Sequence, residues 1–266
     1  KQGNKFLNAH GLSKAHKKEI AKWAVENGLL QPSVTYRVSY YDDEMESELY
    51  SDYDSLKDFA PVSQTVSMPQ LLVVHPSVKA NNTKELIALA SAKPNGQTYA
   101  STGLGGITHL ATELFMSMTK IQMVHVPYKS TGAALVDLLG GQAPIMVASM
   151  LPVVPHMQAG KLKGLAVTTA KRWYSLPDIP TLGDTVPGYN VELWFGAMAP
   201  AGTPPAIISQ LNGVINKALE SAEMKKHLEK DGMIPTGGTP AKFAERINND
   251  YNNWIKVIKS ANIKAS

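Results

Sequence analysis

The chain reads as an α/β protein built on doubly wound, mostly parallel sheets, and three observations predict it. From Phe59 onward, short apolar strands alternate with amphipathic helical stretches, the pattern that successive β–α–β units leave in a sequence. Within that alternation, Tyr99-Ala100-Ser101-Thr102-Gly103-Leu104-Gly105-Gly106-Ile107-Thr108-His109-Leu110 passes from a strand through a glycine-rich loop into the first turn of a helix. The last third carries two threonine–proline pairs, Thr203-Pro204 and Thr239-Pro240. Each reads as an N-cap residue followed by proline at the first helical position.

The region before Phe59 has a different character. Lys14 to Asn27 reads as a basic surface helix ending near Gly28, and Val34, Tyr36, Val38 and Tyr40 alternate like a strand with one wet face. Asp42, Asp43, Glu44, Glu46, Glu48, Asp52 and Asp54 then form an acidic cluster. It lacks the glycine and ligand spacing of an EF-hand, so a solvated acidic face is expected in place of a calcium site.

Gln70 to His75 is an apolar strand, and Thr83 is expected to cap a helix to about Lys93 with Leu86, Ile87 and Ala90 on one face. The helix that opens after the glycine loop turns Leu110, Ala111, Leu114, Phe115 and Met118 inward. Val124 to Pro127 is a strand, and Ser130 to Leu139 a helix closed by Gly140-Gly141. Ala143 to Ser149 and Leu162 to Thr168 are buried strands separated by a short helix, and Val191 to Pro200 is a strand containing Trp194 and Phe195. Of the two closing helices, the first points Ile207, Ile208, Leu211, Val214, Ile215 and Leu219 inward. The second does so with Phe243, Ile247, Tyr251, Trp254 and Ile258. No internal repeat or low-complexity linker interrupts the pattern.

Composition narrows the function. A net charge of +4 and a pI near 9.0 suit an anionic ligand. The lysines are scattered, however, and no basic stripe interleaves with aromatics, so nucleic acid is not an expected partner. The absence of cysteine rules out thiolate catalysis, disulfides and Cys-based zinc sites, and is compatible with an oxidising compartment. Lys1 to Lys22 is polar and carries no apolar signal-peptide core, as in a mature chain whose leader has been removed, or in a cytosolic one. The stretch Leu138 to Gly160 is free of Lys, Arg, Asp and Glu, but its prolines and glycines make it a buried strand–loop–helix passage.

The Tyr99–Leu110 run is the feature with chemistry in it. Its glycines let backbone approach a ligand, and the new helix offers unpaired N–H groups and a partial positive charge. Only Arg37, Arg172 and Arg246 are arginines, so an arginine clamp is not the expected anion device, and Arg172 follows a lysine in what reads as a solvated loop. The glycine loop lacks the Lys-Ser/Thr of a P-loop and the acidic residue of a dinucleotide fold. A serine hydrolase would use Ser101 or Ser149 with a histidine, but no G-x-S-x-G elbow is present. His109 and Glu113 stand four apart on one helix, which is one pair and not a metal site. His75, His125 and His156 read as packing or hydrogen-bonding residues. Tyr128-Lys129 sits at a strand end that faces a cleft in such sheets, and Trp194-Phe195 reads either as hinge-strand core or as an apolar ligand wall.

From about Lys57 to Ala265 the sequence resembles the periplasmic substrate-binding receptors of tripartite tricarboxylate transporters, the Bug family. The pieces that carry the resemblance are Lys57-Asp58-Phe59-Ala60-Pro61-Val62, Leu72-Val73-Val74-His75-Pro76-Ser77, the Tyr99–Leu110 motif, His125-Val126-Pro127-Tyr128-Lys129 and Asp137-Leu138-Leu139-Gly140-Gly141-Gln142. Leu176-Pro177-Asp178-Ile179-Pro180-Thr181, Trp194-Phe195-Gly196 and Ala199-Pro200-Ala201-Gly202-Thr203-Pro204 continue it in order.

The resemblance implies a type II periplasmic-binding-protein fold, two doubly wound α/β lobes around a ligand cleft. Lobe 1 would comprise residues 1–98 and 196–266, with 1–55 atypical, and lobe 2 residues 99–195. It implies a monomeric, non-catalytic receptor without cofactor or metal. That receptor sits in the periplasm after signal-peptide removal and passes a small carboxylate to membrane transporter subunits. Carried over, the family's ligand loop is Thr102, Gly103, Gly105, Gly106 and Thr108, with Ser149 from a second loop, and Tyr128, Trp194 and Phe195 join them as cleft candidates. Many relatives carry Asp or Asn where this chain has Ala148 and Ser149, and often serine where it has Gly106. The family's opening Pro-Pro-Gly-Gly loop has no counterpart in residues 1–50, which leaves the opposing half of the site unassigned. Two readings compete: an enzyme acting on a phosphorylated or ester substrate in the same cleft, and a receptor-derived interaction protein without a ligand.

Overall fold

One long strand, β1 (Phe59–Val74), organises the chain. The computed structural model describes Asp54 and residues 56–263. The helix expected at 14–27, the strand expected at 34–40 and the acidic cluster apart from Asp54 lie outside the described residues. From Phe59 to Pro69, β1 pairs antiparallel with β6 (Glu192–Pro200), and at Val66 and Ser67 also with β7 (Ile234–Pro235). From Gln70 to Val74 it changes partners and runs between β4 (Ile145–Ser149) and β5 (Lys163–Val167), antiparallel to both. Sequence periodicity finds only that second half. The first half contains Pro61, which cannot donate to a ladder, and the polar run Ser63, Gln64 and Thr65, which breaks the apolar pattern. Its register with β6 shifts between Pro61 and Ser63 and again between Gln64 and Val66, irregularities of the kind that let a strand accommodate proline.

The sheet runs β3 (Val124–Pro127), β2 (Thr98–Ser101), β4, β1, β5. β2 is parallel to β3 and β4, as expected, whereas β1 is antiparallel to its neighbours, so the sheet is mixed. A central strand buried on both faces gives the same apolar run in either direction; burial pattern carries no polarity, and direction is set only by pairing.

Helices cover both faces. Alternation along β1 sends Leu72 and Val74 into one core with Tyr99, Phe115, Val147 and Tyr189, roofed by α1 (Thr83–Ala92) and α2 (Ile107–Thr119). Leu71 and Val73 enter the other with Ala100, Met146, Ala148 and Trp173. There α3 (Thr131–Leu139) contributes Ala134 and Leu138, and α4 (Met150–Gln158) contributes Met150 and Val153. Each such fully buried aliphatic or aromatic side chain is worth about 1.5–3 kcal/mol relative to exposure, so these two layers hold the sheet.

Capping departs from expectation by one residue in places. Asn82, not Thr83, caps α1, its side-chain oxygen accepting from Glu85 N–H at 2.9 Å. Thr239 caps α7 (Pro240–Ser260) as the sequence predicts, and Ser130, expected to begin α3, caps it instead. Thr203 caps nothing: α5 (Pro205–Glu220) begins one proline later, and the Thr203 hydroxyl donates to Pro200 O at 2.7 Å. Pro204 precedes another proline and is held extended at ψ 137°, because a following proline disfavours the helical region.

The apolar stripe expected to face inward on α5 is half-buried at Ile207, Ile208, Leu211 and Ile215. Only Leu219 is buried, and Val214 is 61% exposed. On α7, Phe243 and Val257 are buried, whereas Tyr251 points outward. Helix α6 (Ala222–Lys230) buries none of its residues.

Candidate functional site

The turn from β2 into α2 needs two residues in the left-handed half of backbone space, Gly103 at φ 128° and Gly105 at φ 75°, which only glycine occupies without strain. Gly106 follows as the N-cap of α2, extended at φ −66°, with no side-chain cap. The amides of Gly106, Ile107 and Thr108 consequently have no hydrogen-bond partner among the described residues. They converge where the helix dipole is positive.

The other amides of the loop are already used. Thr102 N–H donates to Thr108 Oγ1 at 3.0 Å, Gly103 N–H to Ser101 Oγ at 3.3 Å, and Gly105 N–H to His109 Nδ1 at 3.0 Å. Gly103 and Gly105 thus shape the loop, while the donors lie from Gly106 onward. The Thr102 and Thr108 hydroxyls lie 3.1 Å apart. One hydroxyl hydrogen of that pair is free to point elsewhere, because a hydroxyl donates once and accepts twice.

Under the loop lies a stack of aromatic and acidic groups. The rings of His109 and His125 are nearly parallel at 4.0 Å, and Tyr99 stacks on His125 at 4.9 Å. Tyr99 donates to Glu113 Oε1 at 2.6 Å, and His109 Nε2 stands 3.5 Å from the same oxygen. Since His109 Nδ1 accepts from Gly105, its neutral ring carries the proton on Nε2, toward Glu113. Burial lowers the His125 pKa to about 4. Burial pushes Glu113 upward, but hydrogen bonds from His109 and Tyr99 outweigh it and hold the carboxyl below its usual value.

Ser101, one of the two serines that a hydrolase reading would pair with a histidine, has His125 Nε2 2.6 Å from its Oγ. The serine is fully buried and its Oγ also lies against the Gly103 carbonyl at 3.1 Å, so the pair braces the loop. No group of three or more His, Asp or Glu placed to hold a metal occurs among the described residues.

The remaining candidates separate into free and committed groups. Ser149 ends β4 as the N-cap of α4 without a side-chain cap bond. Its Cα partner on β1 is Gln70, a residue the sequence reading passed over; the one signal was a polar residue opening an otherwise apolar run. Tyr128 is committed: its hydroxyl donates to Asp137 Oδ2 at 2.6 Å, and burial together with that bond pushes its pKa up to about 12. Trp194 is likewise committed. Its indole N–H donates to Asp250 Oδ2 at 2.5 Å, and its ring meets Phe243 edge-on at 5.4 Å. Arg246 bridges Asp250 and Glu192, each at 3.1 Å. Phe195, one residue on, is 48% exposed.

Residues 36–263 match the family model of the tripartite tricarboxylate transporter family receptor. The chain belongs to that family. The match takes in residues upstream of Lys57, where the resemblance read from the motifs began. BugT of Bordetella pertussis is 35% identical over 213 residues, which cover 80% of this chain and 65% of BugT. This chain spans less than two thirds of the length of the first curated relatives that it matches.

An R. palustris protein solved with adipate superposes with a TM-score of 0.73 at 36% identity, covering 79% of this chain and 71% of that one. MatC from Rhodopseudomonas palustris, solved with bound malate, gives 0.69 at 27% identity, covering 78% and 72%. The fold is therefore that of periplasmic binding proteins, and the family is one of solute-binding receptors, not of enzymes.

Proposed function

We propose that this chain is a monomeric, non-catalytic receptor of the periplasm that captures a small carboxylate in a cleft between two lobes and delivers it to membrane transporter subunits. The observation that carries this reading is the set of unpaired amides at Gly106, Ile107 and Thr108 on the N-terminus of α2. A carboxylate satisfies several such donors at once and needs no cationic side chain. Relatives solved with adipate and malate support the ligand class.

The contacts we propose are the Gly106 and Thr108 amides, a hydroxyl of the Thr102–Thr108 pair, and Ser149. Gly103 and Gly105 shape the loop, and Phe195 supplies apolar wall. Tyr128 and Trp194 brace the elements beside the cleft. For the lobes we propose a division that places 70–98 with the second lobe, because Gln70–Val74 lies between β4 and β5 and α1 packs in their core. The lobes then meet where β1 changes partners, after Pro69.

Calorimetry and thermal shift of the ligand-stripped protein with a panel of mono-, di- and tricarboxylates test the reading. Binding of at least one, without turnover, is expected; no heat and no stabilisation across the panel would sink it.

A further inference from the structure

Gln70 sits where β1 leaves β6 for the sheet of β4 and β5. It is fully shielded from solvent, and neither its Oε1 nor its Nε2 has a hydrogen-bond partner among the described residues. Its backbone is locked: N–H donates to Thr168 Oγ1 at 2.9 Å, and the carbonyl accepts from Thr168 N–H at 2.9 Å and from the Thr168 hydroxyl at 3.1 Å. Burying an amide without a partner is costly, and local rules are broken in this way mostly where function needs it.

Strand alternation tells which way the side chain points. Within the stretch paired with β4, Leu72 and Val74 face the core beneath α2 and Leu71 and Val73 face the other, so Gln70 shares the α2 face. Met68, in the stretch paired with β6, packs in the other core, so the alternation does not carry across Pro69. On β4, Val147 belongs to the α2 core and Ala148 to the opposite one, which places Ser149, the Cα partner of Gln70, on the α2 face as well. β2 and β4 are parallel and each feeds a helix. The uncapped N-termini of α2 and α4 therefore open at one edge of the sheet, and Gln70 lies at that edge.

We propose that Gln70 is a specificity-determining residue of the carboxylate site, selecting a ligand that carries a hydroxyl beside its carboxylate. This rests on the receptor reading above and names its substrate class. A carboxylate only accepts hydrogen bonds: it satisfies Nε2 and leaves Oε1 bare. A neighbouring hydroxyl donates to Oε1 while the carboxylate takes Nε2 and the helix amides. An ammonium group also donates, but two helix N-termini disfavour a cation, and β4 ends in Ala148-Ser149 with no acid to balance one.

The test is calorimetry of the ligand-stripped, full 266-residue chain with L-malate, succinate and L-aspartate. Malate is expected to bind about tenfold more tightly than succinate, the effect of one well-made hydrogen bond to a buried partner, and more tightly than aspartate. Gln70→Met keeps the length without donor or acceptor. It should bring malate down to the level of succinate while raising the Tm of the ligand-free protein, because the unpaired amide is gone; Gln70→Leu gives the same two readouts should the first variant fail to fold. A malate preference retained in these variants overturns the proposal. A lower ligand-free Tm does so too, since it marks an amide bonded within the fold, and so does a preference for succinate or aspartate in the unmutated protein. If other carboxylates bind but these three do not, the hydroxy-acid assignment falls and the receptor reading stands; if no carboxylate binds, both fall.

Discussion

At Gly106 two requirements meet in one residue. Its φ of −66° lies within the range of proline, and its N–H has no partner among the described residues. Gly106→Pro should therefore preserve the fold, by circular dichroism, while weakening carboxylate binding by about tenfold or more, the worth of one hydrogen bond to a charged acceptor. Unchanged affinity would remove that amide from the site. His125 supports the same loop from below and is held neutral, its pKa lowered from 6.5 to about 4. With the folded value below the unfolded one, the stability it contributes is complete above about pH 6.5 and is lost as the pH falls through about 4, because the unfolded chain binds the proton first. Glu113, also lowered, adds loss of the same sign at more acidic pH. Urea denaturation across pH 7 to 4 should show a flatter profile for His125→Gln than for the unmutated protein; superimposable slopes would remove His125 from the acid response.

Between elements, the packing of β6 on α7 leaves least room. A Cβ on Gly196 would overlap the ring of Phe243, which is buried and packed edge-on against Trp194. That overlap is with a rigid aromatic ring, so relief requires β6 and α7 to move apart. Gly196→Ala should destabilise by about 1–3 kcal/mol in chemical denaturation, the range for overpacking; a loss below about 0.5 kcal/mol, typical of a surface change, would show that the interface yields easily. Arg246, with Glu192 on β6 and Asp250 on α7, reinforces the contact. These groups are partly exposed, so their ion pairs orient the helix more than they stabilise it.

For the molecule as a whole, β1 passes between the two surroundings that the proposed lobes require, and its register shifts with β6 lie in its Phe59–Pro69 portion. Ligand-driven closure in such an arrangement needs differential affinity: only contacts made in the closed state shift the population toward it. A ligand that binds the folded chain alone, at a hundred times its Kd, stabilises by about 2.7 kcal/mol. The thermal shift with a bound carboxylate should therefore be readily measured and should grow with ligand concentration. A concentration-independent Tm would mean that the carboxylate does not bind the folded state.

What the sequence determined is mostly local. Ser130 and Thr239 cap their helices through bonds to residues three positions on, and the glycine loop follows from the φ values that Gly103 and Gly105 must adopt. Motifs spread along the chain were enough for the family. The tertiary structure decided what depends on distant partners: β1 runs through two sets of pairings and against its neighbours, and the α5 stripe is only half-buried, with Val214 left exposed. It also decided which candidates are free to bind. His109 takes the Gly105 amide, Asp250, 56 positions away, takes Trp194, and Gln70 is left without a partner among the described residues. Hydrophobic period and capping act within a turn or two of chain, so they are written in order along the sequence. Strand direction and the use of each donor are settled only when segments far apart in the chain meet.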